Sequence, residues 1–134
     1  MPTRNTQPKI KPAAGKLGIL TPGLGAVSTT MIAGVEAIKK GMTKPVGSVT
    51  QIGKIRLGKR SENRDALVRD VVPLASLDQI VFGAWDIFND NAYEAAKKAK
   101  VLDSATIEAL KPELERVKPM SAVFDPEYIK RING

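Results

Sequence analysis

Residues 17–41, "LGILTPGLGAVSTTMIAGVEAIKKG", place a short apolar run, a glycine-rich turn and a helical apolar pattern in series. That is the layout of a dinucleotide-binding βα turn. In it, Gly23 allows a tight turn and Gly25 lets the backbone approach a pyrophosphate. The free amides at Ala26, Val27 and Ser28 then face the anion at the start of a helix. Ser28 stands at the third-glycine position, and Thr29 and Thr30 add hydroxyls to the same turn. A strand-to-helix corner with no ligand has the same local pattern, because Gly-x-Gly turns are common. The fingerprint also asks for an acid about 20 residues on, to accept hydrogen bonds from a ribose. At that distance stands "KPVGS", with no carboxylate. Two substitutes are available. Lys39, Lys40 and Lys44 would suit a 2′-phosphate. Asp86, at the carboxyl end of "QIVFGAW", would meet a ribose from an adjacent parallel strand. Alternatively, Asp86 only opens the first turn of the following helix.

Other chemistry is limited by composition. The 134 residues contain neither histidine nor cysteine. Disulfides, thiolate catalysis, cysteine metal sites and the commonest zinc ligand are therefore excluded, and no metal site is expected. Proton transfer would fall to Lys, Asp, Glu or Tyr, and no catalytic residue can be named. Tyr93 and Tyr128 are expected to pack at helix surfaces. Residues 1–60 hold 11 Lys/Arg against the single acid Glu36, while residues 61–134 hold 10 against 13. A basic half attracts nucleic acid and phosphorylated small molecules alike. Single-strand binding needs aromatic platforms among the basic residues, and no aromatic precedes Phe82. Nucleic acid is thus not the expected partner, and Arg56, Lys59, Arg60 and Arg64 read as a solvated loop. No apolar run reaches the roughly 18 residues of a membrane span, and the basic, proline-rich N-terminus lacks a signal-peptide core. A cytoplasmic protein without a membrane partner is expected.

The elements that must position the glycine turn and Asp86 can be read from periodicity. Residues 1–15 read as a flexible basic arm and 16–134 as one α/β unit. "KLGIL" is a strand. Val27–Lys40 is a helix with Val27, Met31, Val35 and Ile38 on its apolar face, ended by Gly41. Residues 43–64 read as loop with a possible short strand near Ile52, Ile55 and Leu57. "QIVFGAW", 79–85, is a strand apolar enough to be covered on both faces. Asn89 or Asp90 then caps a helix over "NAYEAAKKAK"; another starts at Ser104, and Pro112 opens a third. Asp125 and Pro126 repeat that device. Strand–helix followed by strand–helix indicates an α/β fold with a parallel sheet and flanking helices.

These residues also resemble a known family. "GLGAVSTTMIAG", "GSVTQIGKIRLGKR", "QIVFGAWDI" and "KPMSAVFDPEYIKRING", in this order, are similar to the inositol-3-phosphate synthase (myo-inositol-1-phosphate synthase) family. The similarity runs from about Lys16 to the last residue. It implies an NAD-binding Rossmann-like domain, of which this chain would be the N-terminal portion. It also implies that Asp86, in "GAWDI", lies by the adenosine part of NAD. Many relatives have a longer "GxGGNNG" turn. The compact "GLGAVS" here carries over only Gly23, Gly25 and the backbone of Ala26 and Val27. The family reaction converts glucose 6-phosphate to inositol 3-phosphate by internal oxidation with NAD, enolisation, aldol closure and reduction, in a homotetramer. Its catalytic lysines and aspartates would fall beyond Gly134. Two other readings stay open, a stand-alone nucleotide-binding module without catalysis and a basic nucleic-acid-binding domain.

Overall fold

A computed structural model describes residues 14–122. The expected arm, but for Ala14 and Gly15, and the helix expected at Asp125–Pro126 lie outside the described residues. The chain opens with strand β1 (Leu17–Pro22) and helix α1 (Ala26–Lys39). It then makes an excursion before returning to the sheet. The excursion consists of a helical turn α2 (Val49–Ile52), strands β2 (Lys54–Arg56) and β3 (Asp65–Leu67), and a second helical turn α3 (Val68–Val71). Strand β4 (Ile80–Asp86), helices α4 (Ala92–Ala99), α5 (Ser104–Ala109) and α6 (Lys111–Glu115), and strand β5 (Pro119–Ser121) complete it.

Strands β1, β4 and β5 form one sheet in the order β1-β4-β5. Both pairings are parallel, with Leu17 opposite Ile80, Pro22 opposite Trp85, and Asp86 opposite Ser121. Helices α1, α4 and α6 pack on one another over one face of this sheet. The core between them consists of Leu24, Ile32, Ala33, Ala37, Ala84, Ala92, Ala96, Ile107, Leu110, Leu114 and Val117. The parallel sheet and flanking helices agree with the α/β reading.

The structure differs from the sequence reading in four places. First, the buried face of α1 is Thr29, Ile32, Ala33 and Ala37. Val27 and Met31 are exposed, Val27 by 85%. Small side chains let α1 lie close to its neighbours, and a count of large apolar residues passes them over. Second, β4 is covered on one face only among the described residues. Phe82 and Ala84 face the core, while Val81 and Trp85 share an exposed face with Leu20 and Met120. Third, the possible short strand near Ile55 is present as β2, but it pairs antiparallel with a strand absent from the sequence reading, Asp65–Leu67, just past the end of the segment read as loop. Fourth, α4 is capped by Asn91 rather than by Asn89 or Asp90. The Asn91 side chain accepts the Glu94 amide, and the Glu94 carboxylate accepts the Asn91 amide. Gly41 does end α1. At φ 70° it lets its own amide reach the Ile38 carbonyl and the Met42 amide reach that of Ala37.

Candidate functional site

The carboxyl ends of β1 and β4 lie side by side, so the glycine turn and Asp86 meet. The Gly23 amide donates to the Trp85 carbonyl at 2.7 Å, extending the β1–β4 ladder by one rung into the turn. Gly23 has φ 101°, a left-handed conformation that admits glycine far more readily than other residues. One residue on, the Leu24 amide donates to Asp86 Oδ2 at 2.6 Å, and the Phe88 amide donates to Oδ1 at 3.0 Å. Partial burial works against the ionised Asp86. The amides of Leu24, Phe88 and Ile87 outweigh it and hold the carboxyl below its ordinary value. Each carboxylate oxygen keeps a lone-pair direction for a further donor.

Gly25 is the N-cap of α1, at φ −84° and ψ −163°, an extended conformation open to any residue. A Cβ built there would touch no described residue within 4 Å. Neither backbone strain nor packing against the described residues therefore explains glycine at this position. What the missing side chain provides is clear space above the first turn of α1. The amides of Ala26, Val27 and Ser28 point into that turn without a hydrogen-bond partner among the described residues, as the geometry of a helix start requires. The hydroxyls are already engaged. Ser28 Oγ donates to the Gly23 carbonyl at 2.8 Å, Thr29 Oγ1 to the Gly25 carbonyl at 3.0 Å and Thr30 Oγ1 to that of Ala26 at 2.7 Å. They brace the turn, leaving the backbone amides to meet an anion.

A cleft of about 510 Å³ opens beside this turn. Leu24, Gly25, Ala26 and Asp86 line it together with Ile87, Phe88, Ala95 and Ala99, and Asp90 and Lys98 complete the lining. Apolar walls with one well-held carboxylate suit a planar base joined to a hydroxylated sugar. Gly23, Gly25, Ala26, Val27, Ser28 and Asp86 are thus gathered at one end of the sheet. The alternative adenosine-side cations are not. Lys39 and Lys40 stand at the far end of α1, where Lys39 donates to the Ile80 carbonyl and Glu36, and Lys40 to the Ala109 carbonyl and Glu113.

Sequence reasoning missed Leu24, which is buried and ties the turn to Asp86, and Phe88, Asp90 and Lys98 in the cleft wall. An aromatic residue two places after Asp86 was a signal for Phe88. No local pattern marks the Asp90–Lys98 pair. Tyr93 lies on a helix surface as expected, donating to Glu108 at 2.6 Å with Lys97 and Lys111 over its ring. Among the described residues no cluster of acids could hold a metal ion, and no helix is long and apolar enough to cross a membrane.

Topology accounts for the displaced acid. In a doubly wound sheet the ribose-binding acid ends the second strand, which normally follows the first helix at once. Here β5-β4-β1 corresponds to the 3-2-1 half of such a sheet, and the excursion delays the second strand. Leu24 and Asp86 are consequently 62 residues apart in sequence yet hydrogen-bonded.

Comparison with known proteins agrees with this geometry. The sequence model of an NAD-binding domain described as myo-inositol-1-phosphate synthase matches residues 17–134. Inositol-3-phosphate synthase 1 of Bacteroides thetaiotaomicron is 53% identical over 127 residues, covering 94% of this chain and 29% of the relative. Inositol-3-phosphate synthase isozyme 1 of Arabidopsis thaliana is 34% identical over 131 residues, covering 89% and 26%. The crystal structure of inositol-3-phosphate synthase from Caenorhabditis elegans superposes with a TM-score of 0.69 at 28% identity, covering 81% of this chain and 24% of that one. The chain thus spans 24–29% of the length of these relatives.

Proposed function

The chain belongs to the myo-inositol-1-phosphate synthase family, and from that premise we propose that it is the NAD-binding portion of an inositol-3-phosphate synthase. The whole enzyme would convert glucose 6-phosphate to inositol 3-phosphate as a cytoplasmic homotetramer. The family match favours this reading over a stand-alone nucleotide module or a nucleic-acid-binding domain. The observation that supports it best is Gly25, a glycine that nothing among the described residues requires, standing between helix amides unpartnered among those residues and a held carboxylate.

In this reading the pyrophosphate lies over Gly23 and Gly25, accepting hydrogen bonds from the Ala26, Val27 and Ser28 amides. The partial positive charge at the start of α1 adds to their attraction. The remaining lone pairs of Asp86 accept from the adenosine ribose hydroxyls, and the base rests on the apolar wall that includes Phe88. Bound NAD would supply the acceptor and donor of a hydride. The residues of this chain bind and orient it, and no catalytic group is assigned to them.

Titration of the purified protein with NAD tests the site. Gly25→Val should abolish binding, because a branched side chain would fill the space left for the pyrophosphate. A folded Gly25→Val protein with unchanged NAD affinity would overturn the assignment.

A further inference from the structure

Among the described residues three charged side chains line the cleft, Asp86, Asp90 and Lys98. Asp86 is fixed by the Leu24 and Phe88 amides. Among the described residues Lys98 is the one cation of the lining, and it is held by Asp90. Its Nζ donates to both carboxylate oxygens of Asp90, at 2.8 Å and 2.6 Å. The pair spans α4 from its last turn to the residue just before the Asn91 cap. Side chains on a helix lean toward its N-terminus, which is the direction Lys98 takes. Asp90 is the better buried partner, its side chain 25% exposed against 69% for Lys98. The lysine is thus the mobile member and the aspartate the fixed anchor.

This arrangement bears on which dinucleotide the cleft takes. NAD and NADP differ by a phosphate on the adenosine ribose, the sugar that the reading above places at Asp86. A lysine free to move in the same cleft would attract that phosphate, and its long flexible stem would let it follow. Resting on this site reading, we propose that Asp90 is a specificity-determining residue, which excludes NADP by holding Lys98 in a neutral pair. Asp86 repels the 2′-phosphate directly. Asp90 acts by withholding the only counter-charge that the described cleft lining could offer.

The chain carrying Asp90→Ala, Lys98→Ala or both changes is titrated with NAD and with NADP by calorimetry, with circular dichroism as the check on folding. Asp90→Ala should raise NADP affinity relative to NAD by about five- to tenfold, through an attraction that weakens with added salt. The double variant should return close to the wild-type ratio. Asp90→Asn, which keeps the size of the side chain and removes its charge, should shift the ratio in the same direction and serves if Asp90→Ala fails to fold. An unmoved ratio in a folded variant that still binds NAD would overturn this inference alone. An equal gain in the double variant would also overturn it, since Asp90 would then act by its own repulsion. Failure of the wild type to bind NAD would overturn the site reading and this inference with it.

Discussion

In the unit formed by β1, α1 and β4, Ile32 and Ala84 are fully excluded from solvent and Ala33 is 1% exposed. In the excursion between α1 and β4, residues 41–79, no residue is buried. The two regions are joined end to end but stabilised differently. The first buries an apolar face against α4 and α6. The second is held by backbone hydrogen bonds, such as Leu57 to the Arg64 carbonyl at 2.8 Å and Val68 to the Gly53 carbonyl at 3.0 Å. Val46, Val49 and Ile52 stay exposed in it. Burial thus sits under the glycine turn and Asp86, while the excursion can vary without disturbing them. The anion site proposed above needs the rigid region, because a binding constellation must be held to within about 0.5 Å.

The largest test of this contrast is Ile32→Ala, which should destabilise the protein by about 2–5 kcal/mol in urea unfolding, from lost burial and a residual cavity. Loss of less than about 1 kcal/mol would show that the α1 interface is not the stabilising core.

Next is Asp86→Asn. Its neutral amide can satisfy one of the two backbone donors, Leu24 and Phe88, and turns its own N–H groups toward the other. Because the group is part-exposed, the loss should be at most about 1.5 kcal/mol. It should also depend on pH. The folded protein holds the Asp86 carboxyl below its ordinary value. Its contribution is therefore fully present above the unfolded value of about 4 and disappears as pH falls through the lower folded value. Asp103 and Glu108 are held low as well, mainly by hydrogen bonds from the Thr106 and Tyr93 hydroxyls. The difference between wild type and Asp86→Asn, followed by urea midpoints from pH 7 downward, isolates the Asp86 part. A difference that stays constant to pH 2 would remove the electrostatic account.

Asn91→Ala removes the cap of α4 and should lower stability by about 1 kcal/mol. The smallest effect is expected in the excursion. Val49, 71% exposed, should tolerate Ala within about 0.5 kcal/mol. An effect as large as that of Ile32→Ala would erase the distinction between the regions.

The same contrast separates what could be read in the sequence from what could not. Strands β1 and β4 and the end of α1 at Gly41 were legible, because apolar runs and a left-handed glycine are local signals. Asp86 was placed at its strand end by the apolar run before it. Its hydrogen bond to Leu24 has no local signature, since it depends on β1 and β4 pairing. The cap of α4 was in principle legible. In "NDNAYE" only Asn91 has a glutamate three residues later, the pattern of a reciprocal cap. Of the β2–β3 pair only the possible strand at Ile55 was legible; β3, three residues with no fully buried face, gives no strand pattern of its own. On α1, Thr29, Ala33 and Ala37 are too small to register in a count of apolar residues, although small residues are what a close helix interface selects.

The hydrogen bond between Leu24 and Asp86 also sets an order of events during folding. Helix α1 can form from neighbouring residues alone, but the turn in front of it closes only when strand β4 arrives. Long-range closures of this kind are slow relative to helix formation, which takes microseconds or less. The geometry of the glycine turn and Asp86 is therefore a late product of folding, made when the parallel pair zips. It is also among the features lost when that pair opens, even if α1 persists. The Leu24 amide serves as a clock for this step. Its proton should exchange with solvent deuterium at the rate of β1–β4 separation, not at the faster fraying rate of the α1 amides beside it.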